Sequence, residues 1–599
     1  MTEPTNSSTK SNATEQNARG VDEVLAEIGR AAAALAGELG LDETQSELIG
    51  QEVEFAITRS GLRVLTPGLV RELTMAVLAE RGVSDAVLRA RARIGLSVAD
   101  AERIIRGENQ IAFDGQKRDP LSSDRALSSS IKREYALQAI FSEPVVAAHL
   151  AGDIHIEDLG EPDRLFSVTQ PYEFPHVRKD GETPLSGREI EHAIGRLSEE
   201  TRALALHLSG EVVWDAFNWS CAALFGHDSE LLTEYAESVV GALASALSGT
   251  GCPKVVLHLD WDPPAHLPKF GGDQDEKNLA APARALMNAL LTTGAHAGAG
   301  RGDDYSPVRF VVHLRTGWEA HHDYHQTLEA VTRAASAGAP VRLSLDRGDG
   351  DDLFVRYGLM APRRGQTTPP RAFCFGRISI NFARLALAYG EKESAEAAER
   401  EGAAKLRRCV ELAAQAHLEK RIFLEKLLAL GGRGPLGRLT AREAGQPYLK
   451  LDRAIHLISP VGLGEAIRLT GGGLGEARDT LGHLQSEVER LSAQHKIRLL
   501  VAPSRSRQAP LRFARLDNRR QLTKSAPFRA YRADLSIGQH ENKGDHFARV
   551  EDEAQLHAKS MYEAEVRLNV KGADPKHLAV LISRALYQTH AAALCFHPE

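Results

Sequence analysis

Two short stretches of the chain carry side chains suited to binding or acid–base chemistry. Asp215 and Asn218 stand among the apolar residues of VVWDAFNW, so each needs a polar partner or a ligand if it is buried. The stretch APSRSRQAP is rich in arginine, whose positive charge suits a phosphate group, and a solvated basic loop is the alternative. Its candidate ligands are Ser504 and Arg505, with Arg512 shortly after. The sequence contains neither a serine-hydrolase elbow nor a P-loop.

Histidines occur in two patterns that are relevant to a site. His155, in the stretch DIHIEDL, either lines a site or is hydrogen-bonded structurally, and the sequence leaves both alternatives open. The stretch HHDYH has the histidine density of a metal site, and a helix would place His321 and His325 on one face. It lacks the HExxH order, however, and a polar helix face is the more common role. We therefore predict no metal site.

The composition is that of an ordinary globular protein. A formal net charge of -7 gives no reason to expect binding to nucleic acid or to an anionic membrane. The polar first residues lack a signal-peptide pattern, and no apolar run reaches the roughly 18 residues of a membrane helix. The five cysteines form no CxxC pair, which is typical of a reducing compartment. We therefore expect a cytoplasmic protein.

The apolar pattern divides the chain into four regions. Residues 1–20 are polar and are expected to form a disordered tail. Residues 21–107 have helical periodicity, with Pro67 opening one helix, and residues 108–122 are expected to be a linker. From 123 to 599, strands alternate with helices, which predicts an α/β fold whose sheet is either doubly wound or closed into a barrel. The clearest predicted strands are 253–261, 308–316, 341–346, 375–381 and 497–503, and the clearest predicted helices are 229–248, 279–294, 391–430 and 474–495.

Six segments, in order along the chain, resemble segments of the anaerobic (class III) ribonucleoside-triphosphate reductases, which are glycyl radical enzymes. One of them, AHLAGDIHIEDL, is similar to the family's AHxxGDIHIHDL, with Glu157 where the family usually has histidine. Another, GRISINFARLAL, is similar to the family's xxSINLPRxAL. The resemblance implies the family's ten-stranded α/β barrel, preceded by a small helical domain that resembles an ATP-cone. The six segments are 133–159, 209–219, 255–267, 376–387, 456–471 and 511–517.

The resemblance also implies radical chemistry, and one residue that the chemistry needs is replaced. In the family, a glycyl radical generates a thiyl radical on a finger-loop cysteine, and the thiyl removes a hydrogen atom from the ribose. Leu359 occupies the position that matches this cysteine, and leucine forms no thiyl radical. Cys374, at the start of the next strand, is a weak substitute, since a small buried hydrophobe is the more common role of such a residue.

Two further parts of the family pattern are not found in the sequence. The family's zinc-binding domain, which holds the glycyl loop, follows its last barrel strand, whereas this chain ends at Glu599 in a stretch that resembles that strand. We therefore expect neither the glycyl loop nor the zinc site in it. The family's ATP-cone opens with a phosphate-binding hairpin, whereas Gly20 leads directly into a predicted helix. The helical remnant is therefore expected to pack without binding ATP.

Taken together, the motifs predict a reductase-like barrel that binds a nucleoside triphosphate and does not reduce ribonucleotides alone. Reduction would need a separate glycyl-radical subunit and a radical-SAM activase, and the family resemblance implies a homodimer. One alternative is an inactive nucleotide-binding paralogue that acts as a regulator or as a subunit of a complex, and another is unrelated chemistry in the same cavity. The expected substrate-binding positions are His155, Asp215, Asn218, Ser379, Asn381, Ser504, Arg505 and Arg512.

Overall fold

The computed structural model of the chain forms two compact units. One comprises Met1–His155 with Gln508–Tyr531, and the other comprises Ile156–Arg507 with Arg532–Glu599. The predicted tail and most of the predicted linker lie outside the residues that the structure describes, so these boundaries stay predictions. The described residues are most of 25–37 and the ranges 41–60, 67–81, 98–106, 120–172, 186–225, 229–264, 273–299, 307–346, 371–387, 395–443, 446–449, 451–519, 528–538, 546–557 and 562–596.

The first unit is mainly helical where the structure describes it, and Ile154 and His155 at its end begin a short strand. Its helices are α1 (Glu43–Ser60), α2 (Pro67–Glu80), α3 (Val98–Ile105), α4 (Pro120–Tyr135), α5 (Glu143–Ala151) and, from far along the chain, α15 (Gln508–Arg519), with a π-helical turn at Ala136–Ile140. The helix predicted to open at Pro67 is confirmed, because proline supplies a helical φ where no backbone donor is needed. Val53 of α1 and Val77 of α2 form one apolar core with Leu516 of α15.

The second unit is built on one large sheet. Ten strands follow each other in the order β11-β10-β7-β2-β3-β4-β5-β6-β13-β12, and β1 pairs with β7 beside this path. The strands are β1 (Ile154–Ile156), β2 (Leu165–Pro171), β3 (Leu208–Asp215), β4 (Lys254–Asp260), β5 (Val308–Arg315), β6 (Val341–Asp346), β7 (Ala372–Asn381), β10 (Ile455–Val461), β11 (Arg498–Val501), β12 (Val566–Leu568) and β13 (Ala593–Phe596), with a separate two-stranded sheet formed by β8 (Arg442–Glu443) and β9 (Gln446–Pro447).

The order of the strands shows two parallel groups that run in opposite directions. The strands from β2 to β6 are parallel, and the pairs β2–β7 and β6–β13 are antiparallel. The two ends of the path meet where the backbone N–H of Tyr562, just before β12, donates to the carbonyl of Val501 in β11 at 2.8 Å. The predicted ten-stranded α/β barrel is therefore confirmed, with β1 as an additional strand.

Helices cover the outer face of the barrel and bury its apolar residues. Phe310 of β5, for example, packs with Leu290 of α9, and Gly294 on the same helix lets the two elements approach closely, since a Cβ there would lie 2.6 Å from the Phe310 ring. The helices of this unit are α6 (Gly187–Ala205), α7 (Phe217–Phe225), α8 (Ser229–Ala246), α9 (Asp273–Ala299), α10 (Tyr324–Ala337), α11 (Phe382–Leu387), α12 (Ala395–Leu428), α13 (Leu463–Thr470), α14 (Leu474–His495), α16 (His546–Ala554) and α17 (Pro575–Gln588).

The clearest strands and helices predicted from the sequence are all confirmed, with ends that shift by a few residues. The predicted helix 474–495 matches α14, and the predicted strand 341–346 matches β6. The helix predicted to open at 279 begins earlier, at Asp273, so that Pro282 lies inside α9. Among the described residues, no helix is both long and apolar enough to cross a membrane.

Candidate functional site

Alternate residues of four neighbouring strands face the inside of the barrel and repeat one chemical pattern. The residues between them, such as Val212 and Leu257, belong to the apolar layer beneath the helices. On each strand a charged residue comes first, a small residue second and an acid–base residue third. The three inner valines form an apolar cluster of their own. The inner residues are Glu211, Val213 and Asp215 on β3; Lys254, Val256 and His258 on β4; Arg309, Val311 and His313 on β5; and Arg342, Ser344 and Asp346 on β6.

The acid–base residues at one end of this pattern form an imidazole–carboxylate cluster, consisting of Asp215, His258, His313 and Asp346. Nδ1 of His258 lies 3.8 Å from a carboxylate oxygen of Asp215, and Nδ1 of His313 lies 3.5 Å from one of Asp346. The two imidazole rings are 5.0 Å apart between centroids. Ser344 donates to Asp346 at 3.0 Å. All of these side chains are buried, so the cluster is a dense polar patch in the barrel wall.

Burial sets the protonation preference of His258. Burial lowers the pKa of His258 well below its ordinary value, and the nearby His313 lowers it further, whereas Asp215 opposes the shift. His258 is therefore a neutral imidazole near pH 7, with one nitrogen that donates and one that accepts. Groups of this kind, next to carboxylates, can bind hydroxyl groups and move protons.

The start of α7 holds this cluster in place. The side-chain amide of Asn218 donates to the carbonyls of Asp260 at 2.9 Å and Ala283 at 3.1 Å, and it accepts from the backbone N–H of Asp260 at 2.9 Å. Trp219 also donates to the carbonyl of Asp260. Asn218 was predicted from the sequence as a substrate contact. In the structure its side-chain amide makes three hydrogen bonds to the backbone and fixes the end of β4. Substrate contact by Asn218 stays a prediction.

Ala216, directly after Asp215, has a left-handed backbone. Its φ is +46°, a conformation that costs a residue with a side chain roughly 1–2 kcal/mol. The carbonyl of Ala216 accepts from the backbone N–H groups of Trp219 and Ser220, so the residue opens α7. The strained turn sets the direction in which the chain leaves Asp215.

A second polar group lies on the inner face of β7. Because β7 carries one extra residue opposite the Ile455–His456 step of β10, its inner face continues at Arg377, Ser379 and Asn381. Ser379 donates to Glu157 at 3.0 Å, and its hydroxyl lies 3.4 Å from that of Ser504. The structure thus brings together two predicted positions, Ser379 and Ser504, with Glu157, the residue that replaces the family's usual histidine.

Asn381 and Ser504 also serve the local backbone. The side-chain oxygen of Asn381 accepts from the backbone N–H of Arg384 at 3.1 Å, which caps α11. The backbone N–H of Ser504 donates to Ala533, and its hydroxyl accepts from the N–H of Ser506. Ser504, predicted as a phosphate ligand, therefore has its backbone N–H already bonded within the protein.

Charged residues ring the other end of the inner pattern and are named here the charged belt. Arg505 lies in it, 3.1 Å from a carboxylate oxygen of Glu565 and 3.6 Å from one of Glu563. Burial alone would lower the pKa of Arg505, but Glu563, Glu565 and Glu211 raise it well above its ordinary value. Arg505 is thus an inward-facing ion-pair partner in a cluster. The belt comprises Glu211, Lys254, Arg309, Arg342, Arg377, Arg505, Glu563, Glu565 and Arg567.

Cys374 lies at the start of β7 in an apolar setting. It is buried among Ile455, Leu457, Ala502 and Tyr562, and its thiol donates to the carbonyl of Gly376 at 3.5 Å. Burial raises the pKa of the Cys374 thiol to about 12. This setting favours the small-hydrophobe alternative over a substitute radical thiol, and the radical role stays a prediction. Leu359 lies outside the described residues.

The remaining predicted positions, His155 and Arg512, lie in the first compact unit. The His155 ring packs edge-on against Phe513 at 6.2 Å and lies 5.4 Å from the His149 ring. The guanidinium of Arg512 donates to the carbonyl of His149. Burial, followed by the charge of Arg512, lowers the pKa of His149 well below its ordinary value. In this unit His155 therefore belongs to a packed ring cluster.

The histidines of HHDYH do not share a helix face. His321 lies before α10 and His325 lies in its first turn, and both are exposed. Nε2 of His321 lies 3.9 Å from a carboxylate oxygen of Asp262. Among the described residues, no group of three or more His, Cys, Asp or Glu side chains is placed to hold a metal ion.

Sequence reasoning found Asp215 but missed His258, His313 and Asp346. The sequence does contain a pattern that could have indicated them. Each follows a charged residue by four positions, as in KVVLH and RFVVH, and the residue midway between also faces inward. In a strand, residues i, i+2 and i+4 share one face, so the pattern predicts a common polar side. What it lacks is the pairing of the strands, which brings distant segments into register.

Comparisons with known proteins agree with this architecture. The sequence-family model described as anaerobic ribonucleoside-triphosphate reductase matches residues 116–599. A Thermotoga maritima anaerobic ribonucleotide reductase solved with citrate in the active site is 12% identical, with a TM-score of 0.64, over 90% of this chain and 100% of that one. The same enzyme in complex with dATP and CTP is 13% identical, with a TM-score of 0.61, over 80% and 84%.

A further solved anaerobic ribonucleotide reductase is 13% identical, with a TM-score of 0.62, over 93% of this chain and 88% of that one. At such low identity these structures support the fold alone. No curated protein matches the chain significantly. The family match begins at residue 116, so the ATP-cone likeness of residues 21–107 stays a prediction.

Proposed function

Since the chain belongs to the anaerobic ribonucleoside-triphosphate reductase family, we propose that it binds a nucleoside triphosphate inside its barrel and does not carry out the family's reduction alone. The observation that carries the first part is the imidazole–carboxylate cluster on the inner face of β3 to β6. Carboxylates accept hydrogen bonds from hydroxyl groups, and a neutral imidazole both donates and accepts. Such a wall suits a ribose.

The second part rests on residue chemistry. A leucine stands at position 359, where the family resemblance implies the radical-forming cysteine. Cys374 follows in sequence, but it is enclosed by the apolar side chains of Ile455, Leu457, Ala502 and Tyr562. Neither residue supports hydrogen-atom transfer from a bound ribose.

Calorimetric titration of the full chain with CTP and with ATP tests the binding. We expect saturable binding of at least one of them, and a loss of at least tenfold in affinity for Asp215→Asn, which removes a carboxylate from the wall. Asp479→Asn, on the exposed face of α14, is the matched control and should bind like the wild type. Absence of binding to every nucleoside triphosphate tried would overturn the proposal, provided that thermal melts show all three proteins folded.

A further inference from the structure

The charged belt carries more positive than negative groups. Six cationic side chains face three carboxylates around the inside of the barrel. Its members come from both halves of the barrel, because Arg342 of β6 pairs in register with Cys595 of β13, and Cys595 pairs with Arg567 of β12. The excess of positive charge therefore involves strands of both halves of the barrel.

Two of the three carboxylates, Glu563 and Glu565, are each held by more than one arginine. Glu565 lies 3.0 Å from Arg567, 3.1 Å from Arg505 and 3.4 Å from Arg342. Because of these arginines, the pKa of Glu565 is held well below its ordinary value, even though burial alone would raise it. Glu563 lies 3.4 Å from Arg377 and 3.6 Å from Arg505.

Lys254 and Arg309 are left without such a partner. Neither has a hydrogen bond or an ion pair with a side-chain carboxylate among the described residues, and Nε of Arg309 is a buried donor with no acceptor. The two side chains stand on adjacent strands and on the same inner face, since Val256 is the register partner of Arg309 and Lys254 lies two residues before it. The remaining carboxylate, Glu211, is the register partner of Lys254, yet it lies 4.0 Å from Arg505.

Two partly buried cations that lack an ion-pair partner are unfavourable, because they have lost part of their hydration without a compensating bond. A lysine can escape this cost by losing its proton, and burial lowers the pKa of Lys254 to about 7, with Arg309, Arg505 and Arg567 lowering it and Glu211 opposing. An arginine has no such escape, because the guanidinium stays protonated in proteins. An anion between the two side chains would compensate both.

We propose that Lys254 and Arg309 bind a phosphate group inside the barrel, either as free phosphate or as part of a nucleotide. The guanidinium fork offers paired donors to phosphate oxygens, and the ammonium adds a point charge. The layer of Val213, Val256 and Val311 separates this place from the imidazole–carboxylate cluster along the same strands. In the nucleotide case the inference rests on the proposed function, and in the free-phosphate case it stands alone.

Thermal melts and calorimetric titrations with inorganic phosphate, CTP and cytidine test the inference, in a buffer free of other polyvalent anions. Inorganic phosphate or CTP should raise the melting temperature of the wild type. Lys254→Met and Arg309→Met should weaken the binding of that ligand at least tenfold. Lys405→Met changes an exposed lysine of α12 and should behave like the wild type. Arg309→Lys keeps a cation and should retain part of the affinity, which provides a second variant if Arg309→Met fails to fold.

The outcomes separate the inference from the proposed function. If CTP binds, and the wild type, Lys254→Met and Arg309→Met have equal affinity for CTP and equal affinity for inorganic phosphate, the inference is overturned and nucleotide binding is left intact. Binding of inorganic phosphate that depends on both residues, without binding of CTP, would support the inference and count against the proposed function. If neither phosphate nor CTP binds the wild type, both proposals fall.

Discussion

At the scale of single residues, Lys254 makes the stability of the protein depend on pH. The pKa of Lys254 is lowered by burial from 10.5 to about 7, so between these values the unfolded chain binds a proton that the folded chain does not. The free energy of unfolding therefore gains a contribution that rises with pH across this window. Urea unfolding of the wild type and of Lys254→Met at pH 7 and pH 10, without phosphate, measures it. The free energy of unfolding of the wild type, measured relative to that of the variant, should rise from pH 7 to pH 10. A difference that stays constant would contradict the assignment.

The cysteines give a second prediction at this scale. All five lie within the described residues, and burial raises the pKa of the thiols of Cys252 and Cys374 to about 12 and that of Cys595 to about 11. Because the thiolate is the reactive form, we expect negligible reaction of the native protein with a disulfide reagent at pH 8. The unfolded protein should titrate five thiols. Rapid modification of Cys374 in the native state would instead reopen its role as a radical thiol.

Some residues of the candidate site could be predicted from sequence motifs alone. Asp215, Ser379 and Ser504 were predicted from motifs, and the structure places each on or beside a polar cluster of the barrel. Arg505 was predicted to face a phosphate, but its guanidinium is held by Glu563 and Glu565. Those glutamates follow it by about sixty positions in the sequence, and no local pattern reveals a pairing over that distance.

At the scale of elements, Asn218 makes most of the side-chain hydrogen bonds that join α7 to the end of β4, and Trp219 makes one more. Asn218→Ala removes three hydrogen bonds to the backbone of Asp260 and Ala283. Because three buried hydrogen bonds are lost, while Trp219 still donates to Asp260, we expect a loss of about 2–4 kcal/mol in the free energy of unfolding. Denaturant unfolding checks this value. Unchanged stability with weakened nucleotide binding would show that Asn218 serves the ligand rather than the fold.

Close backbone packing gives a prediction for α13. A Cβ at Gly464 would lie 2.3 Å from the carbonyl oxygen of Ser536, and a backbone atom cannot move aside as a side chain can. Gly464→Ala should therefore cost about 1–3 kcal/mol of stability.

Gly482, inside α14, is the matched control because a Cβ there meets nothing within 4 Å. Gly482→Ala should stabilise the protein by roughly 0.5–1 kcal/mol, since alanine loses less entropy in a helix. Thermal melts that rank the two variants in the opposite order would contradict the packing described for α13.

Element positions were largely predictable because they depend on local chemistry. Pro67 marks the start of α2, and the end of α13 at Gly471, with φ +70°, is the left-handed cap expected of a glycine-rich stretch. The extra residue of β7 was not predictable, since a bulge depends on the partner strand β10. Because of this extra residue, Arg377 and Ser379 face the interior of the barrel.

At the scale of the whole molecule, periodicity left open whether the sheet is doubly wound or closed. The order of the motifs resembles that of the family, and this resemblance predicted a closed barrel. The order of the strands and the hydrogen bond from Tyr562 to Val501 agree with that prediction. The packing of α15 with α1 and α2 was not predicted, because it joins residues more than four hundred positions apart. Contacts of this kind come from tertiary structure, which a single sequence does not encode locally.

We propose that the chain keeps the family's barrel and binds a nucleoside triphosphate in it, but does not reduce ribonucleotides alone. The most direct test is an anaerobic incubation of the purified chain with CTP, S-adenosylmethionine and a radical-SAM activating enzyme, followed by quantification of dCTP by mass spectrometry. An active reductase of the same family serves as the positive control. We predict that CTP is recovered unchanged, with dCTP at the level of a heat-denatured sample, whereas dCTP formed in proportion to the amount of this chain would contradict the account.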